Sequence, residues 1–370
     1  MKIMKVTALS TLILLGLTAN AQAQLGNVTI GNDARALAMG GTGVATGGAN
    51  RANPASLAFA KNIRLYFPTI GLRTEGAINE ITKLSTVSKF ISGNDTDKKD
   101  ATTELAKKFA SENSLFGINS GFGIRFGMLE VQANGVAQGR LVPNDALRNW
   151  VSTTGGNGNA PAGAGSELSA AALYTLPAVG FGIQLPIRTL KIGGKEQKVS
   201  IGVGARVKYL NSVYSRYTAV ADNSGNFTAT PGAELGGKDY LSKKGIAADI
   251  GTMGQWEMDG ARLAGGLVIT NFVKPSMTFL DINGKSFNPV TQTVSLGGNF
   301  QKGALTLAGD LVNLTNSPSL RLGGEQKIGP IALRAGFTSR GGVTYGLGIL
   351  GLDIAFGKGQ PLEVVQTLRF

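Results

Sequence analysis

The chain has 370 residues, 36 Lys and Arg against 23 Asp and Glu, a formal charge of +13, 54 glycines, and neither His nor Cys. Without those two residue types it has no Ser-His-Asp or Cys-His catalysis, no disulfide, no lipidated Cys and few routes to a zinc site. The 16% share of charged residues is well below the roughly 25% of an average soluble protein, and the glycine content disfavours helices while suiting turns and crowded interiors.

In chain order, Met1–Lys5 carries two lysines, Val6–Leu17 is mostly apolar, and Ala21-Gln22-Ala23 is a small-x-small cleavage site. That order predicts a signal peptide over residues 1–23, with Lys2 and Lys5 leaving in the leader. The apolar run is shorter than the roughly 20 residues a membrane helix needs. No dense Lys/Arg run follows, so the basic balance reads as scattered solvated and inward-facing charges, and no nucleic-acid partner is expected.

Residues 32–58, "NDARALAMGGTGVATGGANRANPASLA", follow neither a helical nor a strand period. Gly41, Gly43 and Gly47 resemble a dinucleotide fingerprint with one residue too many. The required strand before and helix after are missing, so no nucleotide cofactor is expected. The apolar residues at both ends and the turn-forming Gly-Gly and Asn-Pro fit a compact plug over residues 24–60.

From Lys61 the dominant period is two. In "VSIGVGARVKY", Val199, Ile201, Val203, Ala205, Val207 and Tyr209 form one apolar face, and Ser200, Gly202, Gly204, Arg206 and Lys208 the other. "LRLGGEQKI", "IALRAGF" and "LEVVQTLRF" alternate in the same way. A soluble sandwich alternates too; the exported chain and the number of such strands favour a barrel. The spans 61–72, 116–127, 129–141, 167–187, 199–216, 244–256, 260–273, 292–301, 303–314, 319–328, 331–338, 343–349, 351–357 and 361–370 give about 14 strands, an even number. Pro177 predicts a kink or bulge in the fourth, which could instead be two strands.

Connections alternate between tight turns and long loops at 74–115, 142–166, 218–243 and 274–291, which places the long ones outside a bacterial outer membrane and the termini in the periplasm. Arg188–Lys198 is long for the inner side and reads as an extended hairpin. Spacings of three and four in Ile78–Asn113 predict two short amphipathic helices. Between them Asp95, Asp97 and Asp100 faintly resemble a calcium loop. Lys99 and a missing glycine spoil it, so no metal is expected. Residues 153–165, "TTGGNGNAPAGAG", read as low-complexity and mobile.

The opening stretch closing on Asn53-Pro54-Ala55 resembles the N-terminal signature of the TraF-like conjugal transfer family, within the wider set that includes the FadL long-chain fatty acid transporters. "GVGARVKYL", "AADIGTMGQW", "LAGGLVITNFVKPSM", "LTLAGDLVNL", "LRLGGEQKIGPIALRAGF" and "YGLGILGLDIAFG" resemble its later blocks in order. The resemblance implies an all-β transmembrane barrel of about 14 antiparallel strands over 61–370, a hatch in the lumen, and hydrophobic solutes leaving sideways through a kinked strand. A C-terminal Phe370 resembles the signal that the barrel-assembly machinery reads.

Candidate hatch residues are Asn32, Asp33, Arg35, Arg51, Asn53 and Pro54; candidate lumen residues are Arg125, Arg206, Lys208, Asp310, Arg321, Glu325, Arg334 and Arg369. The expected role is a non-enzymatic conduit for small hydrophobic molecules, in contact with outer-membrane lipid. The alternative is a secretion- or conjugation-associated scaffold for partner proteins, and a soluble periplasmic β protein is a third reading. The sequence sets no oligomeric state.

Overall fold

The computed structural model describes residues 34–46, 52–75, 95–185, 188–192, 195–258, 260–280, 286–288, 290–315, 318–339, 341–357 and 360–369. The leader, Asn32, Asp33, Arg51 and Phe370 lie outside them, as does the Arg369 side chain.

The strands are β1 (Ile63–Glu75), β2 (Ser114–Phe126), β3 (Leu129–Pro143), β4 (Gly165–Gln184), β5 (Arg188–Ile192), β6 (Lys195–Ala221), β7 (Phe227–Pro231), β8 (Leu241–Met258) and β9 (Ala261–Val273). A small pair, β10 (Phe279–Leu280) and β11 (Ser286–Phe287), precedes β12 (Thr293–Lys302), β13 (Leu305–Val312), β14 (Ser319–Ile328), β15 (Ile331–Thr338), β16 (Gly342–Ile349), β17 (Leu352–Gly357) and β18 (Gln360–Arg369). The main sheet has 16 strands. β5 and β7 only extend β6 at its two ends; each of the others pairs antiparallel with two neighbours. β18 returns to β1, and β4 pairs with β6, so the sheet closes into a 14-stranded antiparallel barrel. Closure leaves no open edge.

The strands form because their side chains sort by face. Along β6, Ile201, Val207 and Tyr209 are exposed, while Gly202, Gly204, Arg206 and Lys208 are buried inside. Phe122, Phe181, Leu307, Leu322, Leu333 and Phe337 also point outward and are exposed. A greasy exterior around a polar interior is the reverse of a soluble domain and suits a wall facing hydrocarbon.

Tight turns gather at one end, here called the turn end, several of them using a glycine with positive φ, such as Gly127 (φ 54) and Gly303 (φ 55). The long connections occupy the other, loop end. There α2 (Asp95–Ser111) packs near α3 (Asp145–Thr154), after the short α1 (Ala34–Ala38) inside the barrel. The aspartates at the start of the weak calcium match lie in the helix α2, not in a loop. α3 was not legible in the sequence. Asn144 caps it by accepting from Leu147 N at 2.9 Å and also holds Gly163 and Gly165. Ala160 and Ala164 are buried with Leu147 and Val151, so the low-complexity stretch is anchored at those two alanines. Arg188–Ile192 and Lys195–Val199 form the extended hairpin at the turn end.

Candidate functional site

Inside the barrel three layers follow one another along β6. Gly202 and Gly204 come first from the turn end, then Arg206 and Lys208, then Leu210, Ser212 and Tyr214. At about 3.3 Å per residue, with a strand tilt near 40°, the span from Gly204 to Tyr214 covers roughly 25 Å of barrel axis.

The hatch occupies the first layer. α1 packs on β15–β18, and the 3-10 turn Pro54–Phe59 packs on β4, β6 and β8. Gly323 and Gly336, directly paired across β14 and β15, form the seat for Met39 and Gly40. The hatch backbone lies so close that a Cβ on either glycine would collide with it.

Polar contacts fix the seated hatch. Arg35 donates from Nε (2.8 Å) and Nη2 (2.9 Å) to the Glu325 carboxylate, which also accepts from Arg334 Nε at 2.7 Å. Arg334 continues to Asp353 at 2.7 Å. Asp310 accepts from Gly43 N and Val44 N, and Arg321 donates to Gly41 O at 2.8 Å. Gly40 N donates to Thr344 Oγ1 at 3.0 Å, and Thr344 Oγ1 donates to Ala38 O. Asn53 caps the 3-10 turn through Ala55 N and donates to Val44 O and Thr252 O, each at 3.0 Å; Pro54 begins that turn.

The second layer is a buried ionic network. Lys208 Nζ donates to Asp249 and to Asn271, each at 2.6 Å. Arg206 lies 3.6 Å from Asp249 and 3.5 Å from Glu130. Glu130 accepts from Gln132, and Gln132 accepts from Asn134 at 3.1 Å. Arg125 is buried on β2 opposite Glu130 of β3. The two cations on β6 meet two carboxylates, and Arg125 adds a third cation to the layer.

The third layer is apolar. Val136, Leu173, Leu210 and Tyr214 line the wall, and Leu235, Met277, Phe279 and Val290 come down from the loops to cover it. Phe279 packs on Tyr214 with ring centroids 5.7 Å apart, and Lys243 Nζ stands 5.4 Å over the Phe279 ring.

The wall is interrupted between the second and third layers. β4 carries one residue more than β3 and β6 there: Thr175 pairs with Asn134 and Leu210, and Ala178 with Gln132 and Lys208. Leu176 and Pro177 are left over, and Leu176 faces out at 63% exposure. This bulge moves the inward positions from Leu173 and Thr175 to Ala178 and Gly180. A register shift of the same size, one residue against both neighbours, lies in β1 between Tyr66 and Ile70.

Sequence reasoning named the bases Arg206, Lys208 and Arg334 and the acids Glu325 and Asp310, which the structure brings into these layers. It missed Glu130, Asp249, Asn271 and Asp353, although Glu130 and Asp249 sit at inward positions of alternating strands. Asn271 needed more: positive φ (54°) in a further bulge, on β9, brings its side chain to Lys208 and its amide to Asp249.

No family model and no curated protein matches the chain. Among solved structures it is similar to the CymD monoaromatic hydrocarbon channel, at 12% identity and TM-score 0.39 over 92% of this chain and 97% of that one. It is also similar to the Pseudomonas putida toluene transporter TodX (13%, TM-score 0.36, 92% and 98%). The Ralstonia pickettii toluene transporter TbuX gives 11% and 0.28 over 92% and 98%. At these scores the fold rests on the strand pairings themselves, and the TraF-like resemblance rests on its sequence blocks alone.

Proposed function

We propose that the chain is a non-enzymatic outer-membrane barrel that takes small hydrophobic solutes into its loop end and releases them sideways at Leu176–Pro177. The short turns and both termini then face the periplasm and the long loops face outward. The observation that carries this reading is the height of the bulge. Pairing fails on both edges of β4 between Leu210 of the apolar layer and Lys208 of the ionic layer. A solute descending through the apolar layer reaches that break before it meets buried charge, where an unpaired apolar body has no favourable place. The exposed apolar exterior points the same way.

The test is accumulation of labelled toluene by cells with an intact lipopolysaccharide leaflet. They carry the wild-type chain, a chain lacking Pro177, or neither. Removing one residue restores the register of β4 with both neighbours. Wild type should exceed the empty cells, and the deletion should return uptake to background while keeping a heat-modifiable barrel. Wild-type uptake at background, or full uptake by the deletion, overturns the proposal. A scaffold role in secretion or conjugation has its own signature here: background uptake by both chains with envelope proteins co-purifying.

A further inference from the structure

Just above the bulge the inward wall is not uniformly apolar. Register places Asn119 of β2 and Leu173 of β4 on either side of Val136, with Asn134 and Gln138 two positions along β3 in each direction. Thr175 stands opposite Asn134. Cross-strand neighbours on one face are about 5 Å apart, and next-but-one residues about 7 Å apart. The group therefore surrounds an apolar centre within reach of one small molecule.

Four polar atoms of this ring are buried and make no hydrogen bond: Asn119 Nδ2, Asn134 Oδ1, Gln138 Oε1 and Thr175 Oγ1. Gln138 and Thr175 are only 4% and 1% exposed. Orphaned polar atoms at such density are uncommon and destabilising, so each asks for a partner.

The ionic layer fixes which end of Asn134 is free. The Glu130 carboxylate, beside Arg206, can only accept, so Gln132 turns its amide nitrogen toward it. Gln132 then offers its oxygen to Asn134 Nδ2, and the Asn134 carbonyl is left over. With the Gln138 carbonyl, the free groups are two acceptors, beside the Asn119 amide nitrogen, a donor, and a hydroxyl that can play either part. Arg206 and Lys208 below them are paired with Glu130 and Asp249.

We infer that the ring of Asn119, Asn134, Gln138 and Thr175 around Val136 is a binding site for a small amphiphile. Its apolar body lies on Val136 and Leu173, and one hydroxyl or N–H group donates to the free carbonyls. The solute class is then phenol- or alcohol-like, in preference to a bare hydrocarbon. This rests on the proposed conduit, whose break in the wall begins at the residue after Thr175.

The test uses the isosteric pair p-cresol and p-xylene, titrated calorimetrically against the purified chain in nanodiscs with empty discs subtracted. Wild type should bind p-cresol about tenfold more tightly than p-xylene, the worth of one satisfied hydrogen bond. Thr175→Val and Gln138→Leu should reduce that preference while leaving p-xylene binding in place. Saturable binding of both with equal affinity overturns the inference, because water then fills the ring, and leaves the conduit standing. A lack of saturable binding for either also overturns it, and toluene uptake in cells then decides separately whether the conduit fails. The wild-type comparison needs no variant, so misfolding of a variant does not remove the test.

Discussion

Gly323 and Gly324 are neighbours on β14 with opposite faces, and alanine at each should have opposite consequences. A Cβ on Gly323 would lie 2.6 Å from Met39 Cβ and 2.8 Å from Met39 C, where carbon contacts need about 3.5–4.0 Å. The hatch must therefore rise by about 1 Å. Overpacking of this kind costs about 1–3 kcal/mol. The same movement stretches the 3.0 Å bond from Gly40 N to Thr344 beyond hydrogen-bonding range, losing about 1 kcal/mol more. The sum, about 2–4 kcal/mol, raises the local opening constant about 30- to 1000-fold. A Cβ on Gly324 meets nothing nearer than Leu307 Cδ2 at 3.6 Å. Hydrogen exchange of the Ala36–Val44 amides, read by mass spectrometry, should rise by that factor in Gly323→Ala and stay within about twofold in Gly324→Ala. The temperature of the heat-modified gel shift should be unchanged in both. Equal exchange in the two variants would refute the glycine seat.

Removing Arg35 and removing Glu325 should also differ. Arg35→Met leaves Glu325 paired with Arg334, so the barrel keeps its melting temperature while hatch exchange rises about 30-fold, from about 2 kcal/mol of lost charged hydrogen bonds. Glu325→Gln takes a carboxylate from Arg35 and leaves Arg334 with Asp353 alone, costing about 3–5 kcal/mol, and should lower the barrel's own gel-shift temperature. Asp310→Ala leaves the amides of Gly43 and Val44 without their acceptor, at about 1–3 kcal/mol each, and should expose residues 34–46 to protease in detergent. Asn53→Ala removes the cap of Pro54–Phe59 and the bond to Thr252, and should cost about 1–2 kcal/mol, seen as faster exchange of Ala55 and Ser56.

The strand count was legible because each strand faces two solvents, and a period of two survives wherever pairing is regular. It was legible in β6, whose sorting of Val207 from Arg206 and Lys208 holds in the structure. It fails where one residue is inserted. A regular strand that has Leu173 inward would have Pro177 inward too, yet the bulge turns Pro177 outward and Ala178 inward. Proline marked the site without giving its direction. The buried ion pairs were legible by half. An inward base is visible from its phase within one strand, but its acid is chosen by register with another strand, as for Arg206 and Asp249. The helix α3 escaped because "DALRNWVSTT" borders a run of Gly, Asn and Ala, and its buried face closes on alanines of that same run.

The glycine-rich segment ahead of β1 poses the question of movement, and the contacts bear on it directly. At about 1–3 kcal/mol for each bond to a charged group, Arg35 on Glu325 and the two amides on Asp310 oppose release by several kcal/mol, before Asn53 and Thr344 are added. A small apolar solute gains nothing from those polar groups when they separate, so it supplies no differential affinity for an open hatch. The bulge needs no such exchange: Leu176 and Pro177 already lie outside the ladder, and only side chains must yield. A conduit that opens at the wall and keeps its hatch shut also blocks the free passage of water and ions, which a wide polar lumen would otherwise permit. On this argument Arg35→Met should increase ion conductance in planar bilayers while toluene uptake stays at the wild-type rate. A parallel fall in uptake would return the hatch to the solute's path.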